Sequence, residues 1–391
     1  MARDLSRDIS ASAREAVGRI GPVRRPAGDR NIPAAVVDVG WVNGLAAIRS
    51  LGHAGVRVLA IDHRPSALGF RSRYGEAMLC PDVRNDESQF VDFFRRLGTV
   101  AVFPTHDQEL NVLARHLSEL SVLAPFPAWD VLERVQSKRL QLEQAEAVGV
   151  AVPRTHYPGS ADDARVAGGE LGYPVLVKPG HPVGFKQRFR RQAFRCETEA
   201  ELVEAYANAQ EFEPMVQELV PGGDDTLYTV GSYLARDGRP LGVFCGRKLR
   251  QTPRGVGTCR VGEAVWVDEA VDAALRLLRA FEYFGLSQVE FKRDPRDGSF
   301  KLMEINPRLW QWHGLASACG VDLPRIAYAD LVGEPAPHAQ MNGFGKRWAI
   351  TLLPGEGPAL QRPPYIDAVF ALDDPRPGFV HLARVVRSAL R

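Results

Sequence analysis

The stretch KLMEINPRLWQW, residues 301–312, places two polar side chains inside what reads as a buried strand. Glu304 and Asn306 stand two residues apart, so both project from the same face of that strand. The preceding stretch SQVEFKRDPRDGSF, residues 287–300, offers a second strand followed by a Pro, Asp and Gly cluster typical of a turn. We therefore predict a hairpin with a loop of about five residues, in which Glu290 lies opposite Glu304.

Two opposed carboxylates on one sheet face cannot both stay ionised at low cost without a cation. Mg²⁺ suits this set best, because it takes one or two carboxylates, an amide oxygen and phosphate oxygens of a substrate, and Mn²⁺ is the alternative ion. The predicted ligands are Glu290, Glu304 and Asn306. Arg308, which Pro307 stiffens, would reach an anion beside the metal. The competing interpretation is a solvent-facing hairpin whose glutamates pair with Lys292 and Lys301.

The composition limits the class of protein. A chain of 391 residues with 45% hydrophobic content suggests two or three globular domains, and a net charge of +2 marks no nucleic-acid or membrane binder. The five cysteines are scattered and never spaced as C-x-x-C, which argues against disulfides and zinc. Because no apolar run or signal peptide is present either, we expect a cytoplasmic protein without membrane or nucleic-acid partners.

Strands and helices alternate in the first third of the chain. AAVVDVG, VRVLAID and VAVFPT read as strands and LAAIRSLGHAG as a helix, which predicts a parallel sheet covered by helices. Gly40, Gly44 and Asp62 suggest a dinucleotide site, but a G-x-G-x-x-G motif would need glycines where Val42 and Leu45 stand. We therefore expect a tight turn without a nucleotide.

The segment THDQEL, residues 105–110, follows the third of these strands. Thr105 and Gln108 have the spacing of a helix capping box, which is the favoured interpretation. The alternative is that His106 and Asp107 face a ligand, because loops beyond the carboxyl ends of parallel strands are where ligands bind.

Candidates for nucleotide contacts occur further along the chain. Lys178 ends a buried strand, where an ammonium needs an anion, and Lys138 begins the preceding helix. The backbone of Gln217, Glu218, Leu219 and Val220 could read an adenine, and either Asp224 or Asp225 is available to the ribose. Basic residues suited to polyphosphate or acyl-phosphate contact are Arg247, Lys248, Arg250, Arg254 and Arg260. Each has a simpler structural explanation alone, but their order favours a functional one.

Together these motifs resemble the ATP-grasp superfamily, in the carboxylate-amine ligase branch that includes D-aspartate ligase-like enzymes. The resemblance runs from about residue 33 to about residue 343 and is most specific in VEF…LMEINPR, QELVPGGDD and GRKLRQTP. It implies an α/β and α+β chain with a Rossmann-like N-terminal domain and two subdomains that grip ATP. The predicted segments are an arm (1–32), the Rossmann-like domain (33–130), a central subdomain with a lid (131–222), a C-terminal subdomain with the metal site (223–345) and an extension (346–391).

The resemblance also implies roles for these residues. Lys138 and Lys178 match lysines that contact ATP phosphates, residues 217–220 match the adenine hinge, and Asp224 or Asp225 matches the ribose-binding acid. Glu290, Glu304 and Asn306 match ligands of Mg²⁺, usually two ions, and Arg308 matches the arginine that stabilises the transferring phosphoryl group. We add Lys248 and Arg250 as predicted catalytic groups. The implied reaction converts a small-molecule carboxylate into an acyl phosphate, which an amine attacks.

Several points stay open at this stage. No motif assigns a general base, for which His106, His181 and His313 are candidates, and a homodimer is neither required nor excluded. Many family members have a glycine-rich loop where this chain has a basic lid with Lys186, Arg188, Arg190 and Arg191. Trp310 and Trp312 either line the acceptor site or, as we favour, pack in the core. The alternatives to an amine ligase are a ligase with another nucleophile, a regulatory ATP-binding protein and, more remotely, a dinucleotide oxidoreductase.

Overall fold

The computed structural model describes residues 31–180, 184–255, 257–353, 356–362 and 364–390, apart from the side chains of residues 186 and 187. Most of the predicted arm, 1–32, therefore lies outside the described residues. Within them the chain forms three sheets, of five, four and seven strands.

The N-terminal sheet is parallel, in the order β3-β2-β1-β4-β5. Its strands are β1 (Ala34–Val37), β2 (Val58–Asp62), β3 (Glu76–Leu79), β4 (Val100–Pro104) and β5 (Val122–Leu123). The accompanying helices are α1 (Val42–His53), α2 (Glu87–Leu97), α3 (Asp107–Arg115) and α4 (Trp129–Gln136), with 3-10 turns at Leu68–Arg71 and Leu117–Glu119. Every residue of β1, β2 and β4 is buried, as expected for strands covered on both faces. The predicted strand and helix alternation is confirmed.

The predicted tight turn after β1 is also present. Arg64 bonds Asp62 (Nε to Oδ1, 2.9 Å) and Asp38, and a side chain at Gly40 would overlap its guanidinium. The guanidinium of Arg64 therefore lies directly against the backbone of this turn at Gly40.

The central unit is an antiparallel sheet in the order β6-β9-β7-β8. Its strands are β6 (Thr155–His156), β7 (Val175–Lys178), β8 (Phe194–Cys196) and β9 (Met215–Glu218). Its helices are α5 (Lys138–Ala147), α6 (Ala161–Leu171), α7 (Phe185–Phe189) and α8 (Glu199–Ala209), with a 3-10 turn at Gln210–Phe212. Ser160 and Thr198 cap α6 and α8 by accepting backbone N–H bonds from the third residue on, which fixes where both helices begin.

The third sheet has seven strands in the order β14-β13-β10-β11-β12-β15-β16. The strands are β10 (Leu227–Leu234), β11 (Pro240–Thr252), β12 (Thr258–Ala264), β13 (Gly285–Arg293), β14 (Phe300–Asn306), β15 (Arg347–Ala349) and β16 (Tyr365–Asp367). The helices are α9 (Asp268–Ala280), α10 (Gly314–Ala318), α11 (Leu323–Leu331) and α12 (Arg376–Ala389), and a 3-10 turn covers Asp224–Thr226. All pairings are antiparallel except that of β15 with β16.

The C-terminal extension contacts both the third sheet and the N-terminal domain. Strands β15 and β16 extend the third sheet, so this sheet continues beyond the predicted boundary at residue 345. Asp374 is fully buried and accepts hydrogen bonds from Arg49 Nε (3.0 Å), Ser72 Oγ (2.8 Å) and the Arg73 backbone N–H (3.0 Å). The extension therefore ties the third sheet to the N-terminal domain.

Trp310 and Trp312 belong to the core, as favoured above. Both are almost completely buried, and their rings lie 6.1 and 6.0 Å from the ring of Phe244. A Cβ at Gly231 would come within 1.9 Å of the Trp310 ring, so this strand position has room only for glycine. The same core cluster contains residues of α1, so the N-terminal domain is packed against the third sheet.

The five cysteines are all free thiols, in agreement with their scattered spacing. In the described part of the chain, none of the helices combines the length and the apolar character needed to traverse a bilayer.

Candidate active site

The predicted hairpin of β13 and β14 is confirmed. Glu290 lies directly opposite Glu304, and Gln288 lies opposite Asn306. The register shifts by one residue next to Glu290, because Phe291 pairs with Leu302 and not with Met303. This β-bulge places the carboxylates of Glu290 and Glu304 on the same face of the sheet. The strands are joined by residues 294–299.

The carboxylate of Glu290 is buried among polar groups. Lys248 Nζ lies 2.8 Å from its Oε1 and 3.1 Å from its Oε2, and Gln288 Nε2 donates to Oε1 at 2.8 Å. Burial raises the pKa of Glu290, an effect that Lys248 opposes and the charge of Glu304 reinforces. The pKa of Lys248 is itself raised, because the pull of Glu290 outweighs burial, so this lysine stays cationic.

The alternative of a solvent-facing hairpin is wrong. Lys301 does not pair with the two glutamates of the site but with Glu218 (2.6 Å) and Asp294 (3.1 Å), and it is itself largely buried.

The donor set fits a hard divalent cation. Glu304 accepts from Asn306 Nδ2 at 2.9 Å, which leaves the Asn306 Oδ1 on the side of Arg308 Nη2, 3.4 Å away. Among the described residues no group of three or more His, Cys, Asp or Glu side chains gathers as a metal site. An ion here would thus have two carboxylates and an amide oxygen and would complete its shell with phosphate oxygens and water, as is usual for Mg²⁺.

Lys138 and Lys178 bring positive charge to the same place from the central unit. Lys138 is the first residue of α5 and Lys178 the last of β7, as predicted. Burial, and then the charge of Lys138, lower the pKa of Lys178 to about 7, while Glu304 partly opposes the change. Burial also lowers the pKa of Lys138, again against the attraction of Glu304. An anion bound beside these two lysines would favour their charged forms.

Within the predicted adenine hinge, the N–H and the carboxylate of Glu218 already have partners in the fold. Its backbone N–H donates to the Arg154 carbonyl at 2.9 Å, and its buried carboxylate accepts from Lys301 Nζ (2.6 Å) and Arg296 Nη2 (2.9 Å). The Glu218 carboxylate therefore forms ion pairs with Lys301 and Arg296. Gln217 lies within β9 and accepts from Lys178 Nζ at 2.7 Å. Only Leu219 and Val220 of the predicted hinge lie beyond the end of the strand.

The hydrogen bonds of Asp224 and Asp225 indicate which of the two is available to bind a ribose. Asp224 accepts from the Gln251 backbone N–H (2.8 Å), the Gln251 side chain (3.0 Å) and the Gly255 N–H (3.0 Å), so both of its oxygens are occupied. Asp225 is exposed. The geometry therefore favours Asp225 for a ribose contact.

The predicted basic cluster is divided by the structure. Strands β11 and β12 form a hairpin, in which Arg247 pairs with Glu263 and Arg250 lies 3.8 Å from Glu356 of the extension. Arg260 is fully buried and donates to the carbonyls of Ile350, Thr351 and Gly357. Of the basic residues in this segment, Lys248 is therefore the one that contacts a predicted metal ligand, and Arg250 and Arg260 hold the extension instead.

The segment after β4 behaves differently from the favoured prediction. The Thr105 hydroxyl donates to the Asp38 carbonyl (2.7 Å), and α3 begins after His106 without a side-chain cap, so the capping box is wrong. Asp107 instead binds Arg308. Of the three histidines, His313 is buried with its Nε2 3.0 Å from the Asn43 carbonyl, His181 lies outside the described residues, and His106 lies beside Asp38.

The predicted basic lid contains a short helix, α7, seated on an aromatic cluster. Phe185 is buried and contacts the rings of Phe189, Phe194 and Phe212. Arg188 forms an ion pair with Glu211, while the side chain of Lys186 lies outside the described residues.

Comparison with known proteins places this geometry in context. A family model described as "Carbamoyl-phosphate synthase L chain, ATP binding domain" matches residues 267–334, which include the β13–β14 hairpin. A biotin carboxylase domain dimer of the 2-oxoglutarate carboxylase from Hydrogenobacter thermophilus, in complex with MgADP, ADP and bicarbonate, superimposes with a TM-score of 0.64 at 19% identity, over 80% of this chain and 73% of that one. This chain has the ATP-grasp fold.

Two curated proteins are similar in sequence to this ATP-grasp chain. The D-aspartate ligase of Enterococcus faecium is 26% identical over 243 residues, which is 58% of this chain and 57% of that protein. The carbamoyl phosphate synthase large chain of Thermus thermophilus is 24% identical over 315 residues, or 74% of this chain and 29% of that protein. The chain spans only part of the length of either relative. The predicted fold class is confirmed.

Proposed function

We propose that this ATP-grasp protein is an ADP-forming carbon–nitrogen ligase. It would phosphorylate a carboxylate with ATP, and an amine would attack the resulting acyl phosphate to give an amide and release phosphate. The observation that carries the proposal is the meeting of Lys138 and Lys178 of the central unit with the paired carboxylates Glu290 and Glu304 of the third sheet. Such a set serves phosphoryl transfer, where positioning and charge neutralisation provide most of the catalysis.

ATP would lie between the two units. Lys138 and Lys178 would bind its phosphates, because an anion reverses the mutual repulsion of their ammonium groups. The backbone of Leu219 and Val220 would contact the adenine, and Asp225 the ribose. In this assignment Gln217 orients Lys178 by accepting a 2.7 Å hydrogen bond from its Nζ. The Glu218 side chain does not contact ATP and instead stabilises the fold through its ion pair with Lys301.

Glu290, Glu304 and Asn306 would hold Mg²⁺, or Mn²⁺ as the alternative. Such an ion would supply positive charge that neutralises the charge developing in phosphoryl transfer. Lys248 opposes the rise that burial causes in the pKa of Glu290 and would place a second positive charge beside the reacting groups. Arg308, held at the end of β14, would contact the transferring phosphoryl group and the acyl phosphate. Arg250, which the structure pairs with Glu356, is not part of this assignment.

The direct test is ADP release from the full chain with acids and amines supplied in pairs. D-aspartate is the first acid to include because of the D-aspartate ligase relative, followed by other amino acids and dicarboxylates. The proposal predicts ADP formation that requires both an acid and a nucleophile. Binding of ATP without such turnover across the panel would instead support a regulatory ATP-binding protein. In this proposal the partners of the protein are its small-molecule substrates, and a homodimer stays a prediction. The free thiols are consistent with the proposed location in a reducing cytoplasm.

A further inference from the structure

A second polar cluster lies in the N-terminal domain, at the carboxyl ends of its parallel strands. The strand order β3-β2-β1-β4-β5 reverses direction between β1 and β4, and ligands of parallel sheets bind at such a switch point. Asp38 follows β1, His106 follows β4, and Glu109 lies in the first turn of α3. Arg308 reaches the same helix through Asp107. The cluster therefore adjoins the proposed site of acyl phosphate formation.

Glu109 has an unusual environment for a carboxylate. Its side chain is only 6% exposed, and its Oε2 is buried without a hydrogen-bond partner among the described residues. Burial, followed by the charge of Asp38, raises the pKa of Glu109 to about 7. A buried acceptor without a donor is costly, so this oxygen points to a donor that the chain itself does not provide.

The charges around Glu109 favour a cationic donor. Arg64 pairs with Asp38 and Asp62, Arg84 pairs with Asp82, and Arg308 pairs with Asp107. Among the described residues Glu109 forms no ion pair of its own, and Arg84 only lowers its pKa through its charge. The same negative charges also affect the pKa of the nearby Cys80 thiol. Its pKa is raised to about 12, first by burial and then by the carboxylates of Asp62, Glu109, Asp38 and Asp82.

His106 supplies a proton acceptor at the open side of this cluster. Its Nδ1 lies 3.1 Å from Asp38 Oδ2, so Asp38 accepts from the Nδ1–H tautomer and leaves the lone pair on Nε2. The His106 side chain is 45% exposed. Burial and the charges of Arg308 and Arg64 lower its pKa against the opposing charges of Asp38 and Asp107, which keeps the imidazole neutral near pH 7.

We propose that Asp38, His106 and Glu109 form the binding site for the amine substrate. Glu109 Oε2 binds its ammonium, the charge of Asp38 attracts it, and His106 Nε2 accepts one proton from it. The nitrogen lone pair then forms the C–N bond while the C–O bond to phosphate breaks, and the second proton leaves with the phosphate. This inference rests on the proposed ligase function and assigns its acceptor site and general base.

Two variants change the chemistry of this site while keeping its shape. Glu109→Gln removes the charge but not the volume, and His106→Asn retains a donor to Asp38 but lacks Nε2. Asp92→Asn is a matched control, since Asp92 is an exposed carboxylate of the same domain that pairs with Arg95. Ammonium chloride and hydroxylamine are the two nucleophiles, tested with the acid that gives ADP release. Hydroxylamine is uncharged at pH 7 and needs neither an anionic partner nor prior deprotonation.

We expect Glu109→Gln to raise the KM for ammonium about tenfold or more and His106→Asn to lower the ammonium-dependent kcat about a hundredfold. In both variants the loss should be much smaller with hydroxylamine than with ammonium, whereas Asp92→Asn should match the wild type with either nucleophile. Equal losses with both nucleophiles, or unchanged use of ammonium, would overturn the assignment.

A binding measurement tests the site without turnover. Putrescine should raise the melting temperature of the wild-type chain and of Asp92→Asn but not of Glu109→Gln, whereas succinate, of similar length and opposite charge, should show no dependence on Glu109. Putrescine stabilisation that persists in Glu109→Gln, or its absence in the wild type, would contradict the site. If no acid supports ADP release in the wild type, the ligase proposal fails, and this shift still decides whether the cluster binds amines.

Discussion

Arg308 and Asp107 form a bidentate ion pair between two domains. Arg308 Nε donates to Oδ1 at 2.5 Å and Nη2 donates to Oδ2 at 3.0 Å. The pair joins the second residue after β14 to the first residue of α3. The two residues are 201 positions apart in sequence. A planar fork of this kind fixes the direction of the guanidinium as well as its position.

Asp107→Asn tests whether this pair positions Arg308 for catalysis. Loss of one charged partner should lower kcat about tenfold and leave the Kd for ATP nearly unchanged, because Arg308 would remain present but less well oriented. Steady-state ADP release and ATP titration measure the two quantities. Asp92→Asn provides the matched control, and a kcat for Asp107→Asn equal to that control would mean that the pair only joins the domains.

Glu304→Gln tests the metal assignment. The substitution keeps the size of the side chain and its place beside Asn306 but removes the charge that an ion would need, so turnover should fall at least about a hundredfold. The Mg²⁺ concentration needed for half-maximal activity should rise as well. Glu269→Gln, on the exposed side of α9, should behave as the wild type. Near-normal turnover of Glu304→Gln would eliminate Glu304 as a ligand.

Lys178 predicts that ATP binding takes up protons. Its pKa is about 7 without nucleotide, and bound phosphate must raise that pKa, so a fraction of Lys178 that is neutral at pH 8 becomes protonated on binding. At pH 6 the lysine is already charged, and the uptake should nearly vanish. Titration calorimetry in buffers of different ionisation enthalpy measures this number. The uptake should disappear in Lys178→Met and persist in Lys346→Met, and proton release at pH 8 would be inconsistent with the assignment.

Glu218 should stabilise the fold in a pH-dependent manner. Burial raises its pKa, but the hydrogen bonds from Lys301, the Arg154 backbone and Arg296 outweigh burial and lower the pKa to about 2. Because the folded pKa lies below the ordinary value of 4.5, the stabilisation is complete above about pH 4.5 and is lost as the pH falls toward 2.

Glu218→Gln should therefore reduce the free energy of unfolding at pH 7 by about 2 to 3 kcal/mol, with a difference from the wild type that shrinks in acid. Urea unfolding at several pH values provides the measurement. Glu197→Gln, in an exposed pair with Arg195, should change stability by less than about 0.5 kcal/mol. A loss that is the same at pH 7 and pH 3 would show that the charge of Glu218 is not the cause.

The hairpin could be predicted because its information is local. The two-residue period of the strand puts Glu304 and Asn306 on one face, and the turn between the strands sets which residue faces Glu290. The positions of Lys138 and Lys178 could also be predicted. Lys138 begins a helix and Lys178 ends a strand, and the residues next to each lysine in sequence indicate that element. The superfamily resemblance then supplied their roles.

Partners that meet only through the tertiary fold could not be predicted. Glu218 and Lys301 are 83 residues apart, and nothing in the QELV motif indicates that its glutamate bonds another sheet. Arg260 reads as part of a solvated basic loop, yet it is buried because strands β11 and β12 pair and the extension covers it. Strand β15 has three residues, too few for a periodic pattern.

The central claim is that the protein transfers the γ-phosphoryl group of ATP to a carboxylate. The most direct measurement uses an acid with both carboxylate oxygens labelled as ¹⁸O, chosen from those that support ADP release with an amine. Transfer through an acyl phosphate predicts one ¹⁸O atom in each released phosphate, detected by mass spectrometry. Phosphate released without ¹⁸O while the amide forms would contradict the account.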